Sequence, residues 1–188
     1  MRDHRISAAF GDDLRARRLR RKKFHRRSFA ILCLSITLAV TISSPPRPWL
    51  VWNATASTPV GLYAIGSPGI VVPGDIVLAR VPEAARYLAA ERRYIPLNVP
   101  LVKRVAAAPG DTVCAHGSHI QVNGRGIAER LHVDGRGRPM PWWTGCKTLR
   151  HGALFLLISD KPASFDGRYF GITGADDVLG KATLLWAR

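Results

Sequence analysis

The apolar positions of this chain fall into two regimes. From Ser28 to Ser44 the sequence reads SFAILCLSITLAVTISS, seventeen residues without a charge. Beyond it, apolar runs are short and are cut by Gly and Pro. The first regime predicts a helix. Phe29 to Ser44 would rise about 24 Å, somewhat short of a ~30 Å bilayer core. The second predicts strands joined by tight turns. GDIVLARV (Gly74 to Val81) follows a Pro-Gly turn and is rich in β-branched residues, so it reads as a strand. PEAARYLAAERR (Pro82 to Arg93) starts on Pro, has Glu in its first turn and ends on Arg, so it reads as a short helix. VPLVKRVAA (Val99 to Ala107) is a strand ended by PGD, and Asn123-Gly124 between apolar runs marks a hairpin. DGRGRPMPWWTG (Asp134 to Gly145) is a loop, and GALFLLISD (Gly152 to Asp160) and LGKATLLWA (Leu179 to Ala187) are two more strands. Many short strands between Gly and Pro turns predict a mostly antiparallel β domain. No internal repeat is visible.

Charge changes the picture at the N-terminus. The formal net charge of +15 is uneven, with eleven Lys/Arg against three Asp in residues 1–27. A basic arm could contact nucleic acid or anionic lipid, but here it abuts an uncharged stretch. That is the positive-inside pattern, which places the N-terminus in the cytoplasm and the rest of the chain outside it. Trp49 and Trp52 suit the far interface, and Arg26 and Arg27 can snorkel at the near one. The expected organisation is a basic tail (1–27), a transmembrane anchor (28–44) and an exported domain (45–188). Ala54-Thr55-Ala56 has the form of a leader cleavage site, but it lies too far past the apolar stretch, so the anchor is expected to stay uncleaved. In an oxidising compartment Cys114 and Cys146 are candidates for a disulfide, with two buried free thiols as the alternative. No cysteine or histidine spacing suggests a metal.

The exported part holds four lysines, Lys103, Lys147, Lys161 and Lys181, against thirteen arginines. Arginine stays protonated, whereas a desolvated lysine can become a neutral base. On a strand Leu101, Lys103 and Val105 share one face, with Arg104 on the other. Lys103 is therefore a candidate for an amine held against apolar neighbours; the competing reading is a lysine on a solvent face. A neutral amine can take the proton of a serine hydroxyl, as in Ser-Lys variants of the catalytic triad. His116, His119, His132 and His151 lie in turns or beside Gly with no evident carboxylate partner, and there is no GxSxG elbow.

Three ordered stretches carry a resemblance. SxPxGLY at Ser57, VKRVAAAPGD from Val102 to Asp111, and SFDGRYFG with LGKA between Ser164 and Ala182 stand in the order seen in type I signal peptidases. The NxTxSxPxGLY form and the spaced cysteines look more like the TraF-type conjugative transfer peptidases, which mature pilin subunits. The resemblance covers residues 50–188 and the anchor. It implies a membrane-anchored, largely β domain in two sheet subregions, with Ser57 as nucleophile and Lys103 as general base. It further implies that the Thr55 hydroxyl and the Ser57 N–H form an oxyanion hole. Ser164 would hydrogen-bond the lysine, and Asp166 would organise the site through Arg168. General signal peptidases carry GDNRDNS before the supporting serine; this chain reads SDKPAS, which argues against a housekeeping role.

The activity so implied is cleavage of an exported pilin precursor by a serine endopeptidase at a bacterial inner membrane. The catalytic domain would be periplasmic, and neither cofactor nor nucleic acid would be needed. Release of the acyl-enzyme by water and by the substrate's own amine, which closes a ring, are both open. The alternatives are a general signal peptidase and a catalytically silent scaffold of a conjugation or secretion apparatus. By themselves, Ser57 could begin a turn into Pro59, Asp166 and Arg168 could form a surface pair of little energetic value, and Trp142-Trp143 could pack on the core or membrane surface.

Overall fold

A computed structural model describes residues 3–43, 48–55 and 57–188; Ala56, and the anchor boundary expected at 44–45, lie outside the described residues. The chain divides into two units, Met1–Arg47 and Pro48–Arg188. The first is one helix, α1 (Asp3–Ser43). Its stretch Arg20–Ser43, 24 residues, is long and apolar enough to cross a membrane. At 1.5 Å per residue that stretch is about 36 Å long, because the helix runs on through the basic residues that precede the apolar run. Phe29, Ile31, Leu34 and Ile36 on it are all exposed.

The second unit is mostly antiparallel β. Its strands are β1 (Leu50–Asn53), β2 (Gly61–Ile65), β3 (Ile76–Ala79), β4 (Leu101–Ala107), β5 (Thr112–His116), β6 (His119–Val122), β7 (Arg125–Glu129), β8 (Gly145–Thr148), β9 (Phe155–Leu156) and β10 (Val178–Ala187). Helix α2 (Glu83–Glu91) follows β3, and a single turn, α3 (Gly167–Phe170), follows β9. One sheet has six strands in the order β1-β2-β10-β3-β4-β9, and the other has four in the order β7-β6-β5-β8. Every pairing is antiparallel.

Register explains where the cores lie. On the six-stranded sheet, Val77, Ala79 and Val105 join Leu154, Leu156 and Val178 in one cluster, while Tyr63, Leu78, Val102 and Ala182 form another. Val77 and Leu78 alternate between these clusters, as adjacent strand residues must. Under the four-stranded sheet, Val113, Ala115 and Ile120 pack with Leu149 and Phe155. The Asn123-Gly124 pair turns β6 into β7 with φ of 51° and 79°, the left-handed values that a two-residue hairpin loop requires.

One expectation is corrected. Gly152 to Asp160 is not a long strand: only Phe155 and Leu156 pair with β4. The run is buried, but its backbone bonds are scattered. Leu154 N donates to Thr173 O, Leu157 N to Arg104 O, and Ile158 N to the Asp166 carboxylate. The apolar pattern reported burial, not a continuous neighbouring strand.

Two backbones meet closely at Gly61. A Cβ there would lie 2.0 Å from the Trp186 carbonyl oxygen. Gly61→Ala should therefore cost about 1–3 kcal/mol by forcing β2 and β10 apart, read as a lowered denaturant midpoint; an unchanged midpoint would contradict the pairing.

Candidate active site

The loop after β1 is organised by Asn53, only 5% exposed. Its amide nitrogen donates to Thr55 O at 2.9 Å and Thr58 Oγ1 at 2.9 Å. Its side-chain oxygen accepts from Thr55 N at 3.1 Å and from Thr55 Oγ1 at 2.8 Å. Tyr63 Oη, from β2, donates to Pro59 O at 2.8 Å. Asn53 and Tyr63 thus pin both ends of the turn that presents half-buried Ser57. Sequence reasoning gave Asn53 no role beyond its place in the NxTxSxPxGLY form. The signal was there: an Asx residue two positions before a hydroxyl residue commonly bonds the backbone ahead of it.

Ser57 Oγ lies 2.9 Å from Thr55 Oγ1. The Thr55 proton is committed to Asn53, so in this state Thr55 accepts and Ser57 donates. No hydrogen bond joins Ser57 to Lys103 among the described residues. Both nevertheless line one cleft of about 690 Å³, with apolar walls that include Trp52, Ile95, Leu101 and Phe165. On its other side Ser57 borders a smaller pocket of about 380 Å³, lined by Arg104, Asp160 and Lys161.

Lys103 sits on β4, paired with Val77, and is 4% exposed. That excludes the solvent-face reading. Lys147 and Lys161 are exposed, and Lys181 pairs with Asp75 at 2.8 Å. Lys103 Nζ donates to Ser164 Oγ at 2.6 Å. Burial pushes its ammonium down from 10.5 to about 8; the Asp166 carboxylate opposes the drop and the Arg168 guanidinium adds to it.

Asp166 and Arg168 are both fully buried, not a surface pair. Asp166 caps α3 by accepting from Arg168 N, and its carboxylate also takes Arg168 Nε at 2.9 Å and Nη2 at 2.8 Å. Arg168 Nη2 reaches on to Ile158 O at 2.7 Å and Lys161 O at 2.6 Å. The pair therefore ties both sides of the loop that carries Ser164. Behind it stands Arg130, which the sequence did not single out. Arg130 is 2% exposed, lies 4.4 Å over the Trp142 ring, and donates to Trp143 O, Gly117 O and Arg168 O. Trp143 packs against the core under the small sheet and donates to Gly167 O at 2.9 Å.

Cys114 and Cys146 are bonded, as directly paired residues of β5 and β8. The histidine reading is corrected at one position: His119 Nδ1 lies 3.4 Å from Glu129 Oε1, across the β6–β7 pair. Both groups are exposed, and they lie on the four-stranded sheet, whereas Ser57 and Ser164 do not. The hairpin register that opposes them was not visible in local spacing.

Asp166→Ala leaves the Arg168 guanidinium buried without its counter-charge. It should destabilise the β unit by about 3–5 kcal/mol, measured by urea unfolding. A loss below ~1 kcal/mol, the range of exposed pairs, would contradict the buried geometry.

The chain is similar to known proteins along most of its length. A plasmid transfer protein TraF from Escherichia coli is 35% identical over 129 residues, 63% of this chain and 72% of that protein. A second TraF from Escherichia coli is 34% identical over 137 residues, 68% of this chain and 77% of that protein. A crystal structure of a signal peptidase I from Enterococcus faecalis V583 is 21% identical, with a TM-score of 0.37 over 62% of this chain and 100% of that one. Residues 21–187 match the model of the family described as signal peptidase, peptidase S26, and the chain belongs to that family.

Proposed function

We propose that this protein is a membrane-anchored serine endopeptidase with a Ser57–Lys103 dyad that processes an exported pilin precursor for conjugative transfer. The observation that carries the reading is Lys103: a buried lysine, drawn toward neutrality by desolvation, lining the same apolar cleft as Ser57. The similarity to plasmid transfer proteins supports the conjugative setting. An apolar cleft of that size suits an extended segment with small or apolar side chains. Helix α1, with its basic residues first, supports an anchor with a cytoplasmic N-terminus and a periplasmic β unit. Inner-membrane lipid is then the second partner, and the reading needs no nucleic acid.

In this mechanism Ser57 Oγ turns from Thr55 toward Lys103 as substrate enters; loose catalytic contacts in a substrate-free site commonly tighten this way. Oγ attacks the scissile carbonyl carbon, and Lys103 Nζ takes the hydroxyl proton. Ser164 holds Nζ in place. The oxyanion is met by the Ser57 N–H and by Thr55 once its hydroxyl leaves Asn53; one such donor typically contributes about 10²–10³ in rate. Lys103 then returns its proton to the leaving amine. Water releases the acyl group by hydrolysis, whereas the substrate's own amine would release it as a ring.

Precursor cleavage by the purified full-length chain tests the dyad. Ser57→Ala and Lys103→Ala should each abolish processing, and Lys103→Arg should too, because a guanidinium stays protonated. Full activity in Lys103→Ala would sink the dyad, and no cleavage by the unsubstituted chain would favour a silent scaffold. A pH profile is a separate check. The active form is the neutral amine, so kcat/KM should rise about tenfold per pH unit below the Lys103 pKa and level off above it, with the bend near 8. A profile flat from pH 6 to about 9 would show that Lys103 is not the base.

A further inference from the structure

The four-stranded sheet has one face on the core and one on solvent. Val113, Ala115 and Ile120 point to the core. Cys114 and His116, their neighbours on β5, therefore point outward, two residues apart on one face. Cys146 on β8 is the direct partner of Cys114, so it shares that face. The sulfurs of Cys114 and Cys146 and a ring nitrogen of His116 all lie within 4.8 Å of one another. Cys146 Sγ is 3.7 Å from His116 Nε2. Cys146 and His116 are exposed and Cys114 is half-buried, so solvent reaches the cluster. Nothing in the peptidase reading uses these three side chains.

We propose that this cluster is a redox-gated site for a borderline-soft divalent cation such as Zn²⁺, bound by Cys114, Cys146 and His116 once the disulfide is reduced. Two thiolates and an imidazole are the donor types that such a cation takes, and three protein ligands leave the fourth tetrahedral position to water. The strands already hold the donors together: Cys114 and Cys146 have Cα atoms 4.0 Å apart, fixed by register on both sides of the pair. His119 stands opposite His116 but is turned to Glu129, so it is not counted as a ligand. The gate is chemical. In the bonded form each sulfur lacks the charge needed to ligate. A dithiol reductant supplies two electrons and two protons, breaks the S–S bond, and leaves as its own cyclic disulfide. The cation then displaces the two thiol protons. The cation replaces a covalent cross-link by a coordinate one.

The test uses the full-length chain in detergent with Cys33→Ser, which removes the free cysteine of α1. The protein is reduced with a phosphine, which does not chelate zinc, and is titrated with Zn²⁺ alone against a chromophoric chelator. The expected result is one Zn²⁺ per reduced chain and none per oxidised chain. His116→Ala keeps both cysteines and the disulfide. It should weaken binding by about tenfold or more, since even loss of a group that merely supports a ligand costs that much. Co²⁺ should give a sulfur-to-metal absorption band in the reduced chain that Cys146→Ser removes. Equal Zn²⁺ uptake by reduced and oxidised chains, or an affinity unchanged in His116→Ala, would overturn the site.

Discussion

The Asp166–Arg168 pair is the constraint on which the site depends. Two full charges inside a protein are costly unless each is matched in geometry and hydrogen bonding. Here the match is nearly complete: Asp166 takes the Arg168 guanidinium, the Arg168 N–H and the Ile158 N–H, and Arg168 gives its remaining protons to main-chain oxygens at 129, 158 and 161. Such a pair has essentially one arrangement. It therefore fixes the loop between Ile158 and Ser164, and through Ser164 it fixes Lys103 Nζ. It also lies close enough to Lys103 for its two charges to act on the ammonium in opposite directions. Desolvation is then the larger influence on the lysine. The ion pair holds the amine in place through Ser164, and the Arg168 charge offsets part of the pull of the Asp166 carboxylate toward the protonated form.

Ser57 is held by a different device. Its turn has no buried charge; an amide side chain and a tyrosine hydroxyl gather the loop's carbonyls and hydroxyls. One half of the site is stiffened by ion pairing and the other by neutral hydrogen bonds. The Ser57 hydroxyl rests on Thr55, the side chain that the proposed mechanism needs as a donor.

Much of this was legible in the chain, and the limits have physical causes. Alternation on β4 told that Lys103 faced away from Arg104, because strand periodicity is local. It could not tell that this face is covered, because the cover comes from the segment of Ser164 and Phe165, far away in sequence. The turn at Asn123-Gly124 was readable because left-handed φ selects those residues. Gly152 to Asp160 was misread because a fully buried run looks alike whether its amides meet a strand, a loop or a carboxylate. The roles of Ser164, Asp166 and Arg168 came from resemblance rather than from spacing; nothing local distinguishes a buried Asp-x-Arg from an exposed one. Arg130 and the His119–Glu129 contact depend on side-chain direction and register across the fold, which local patterns do not encode.

The strand order carries one more consequence, for how the protein comes into being. β2 follows the turn of Ser57, and β4 carries Lys103, yet the two halves of the six-stranded sheet are joined by β10. Gly61 pairs locally with Asn53 of β1, but its other side waits for Ala187. Contacts of such sequence separation form late, since chain closure must precede the gain from pairing. A nascent chain would thus carry Ser57 and Lys103 long before β10 joined the two halves of the sheet that hold them. The delay acts as a timer built from topology, set by the last strand of the sheet to arrive.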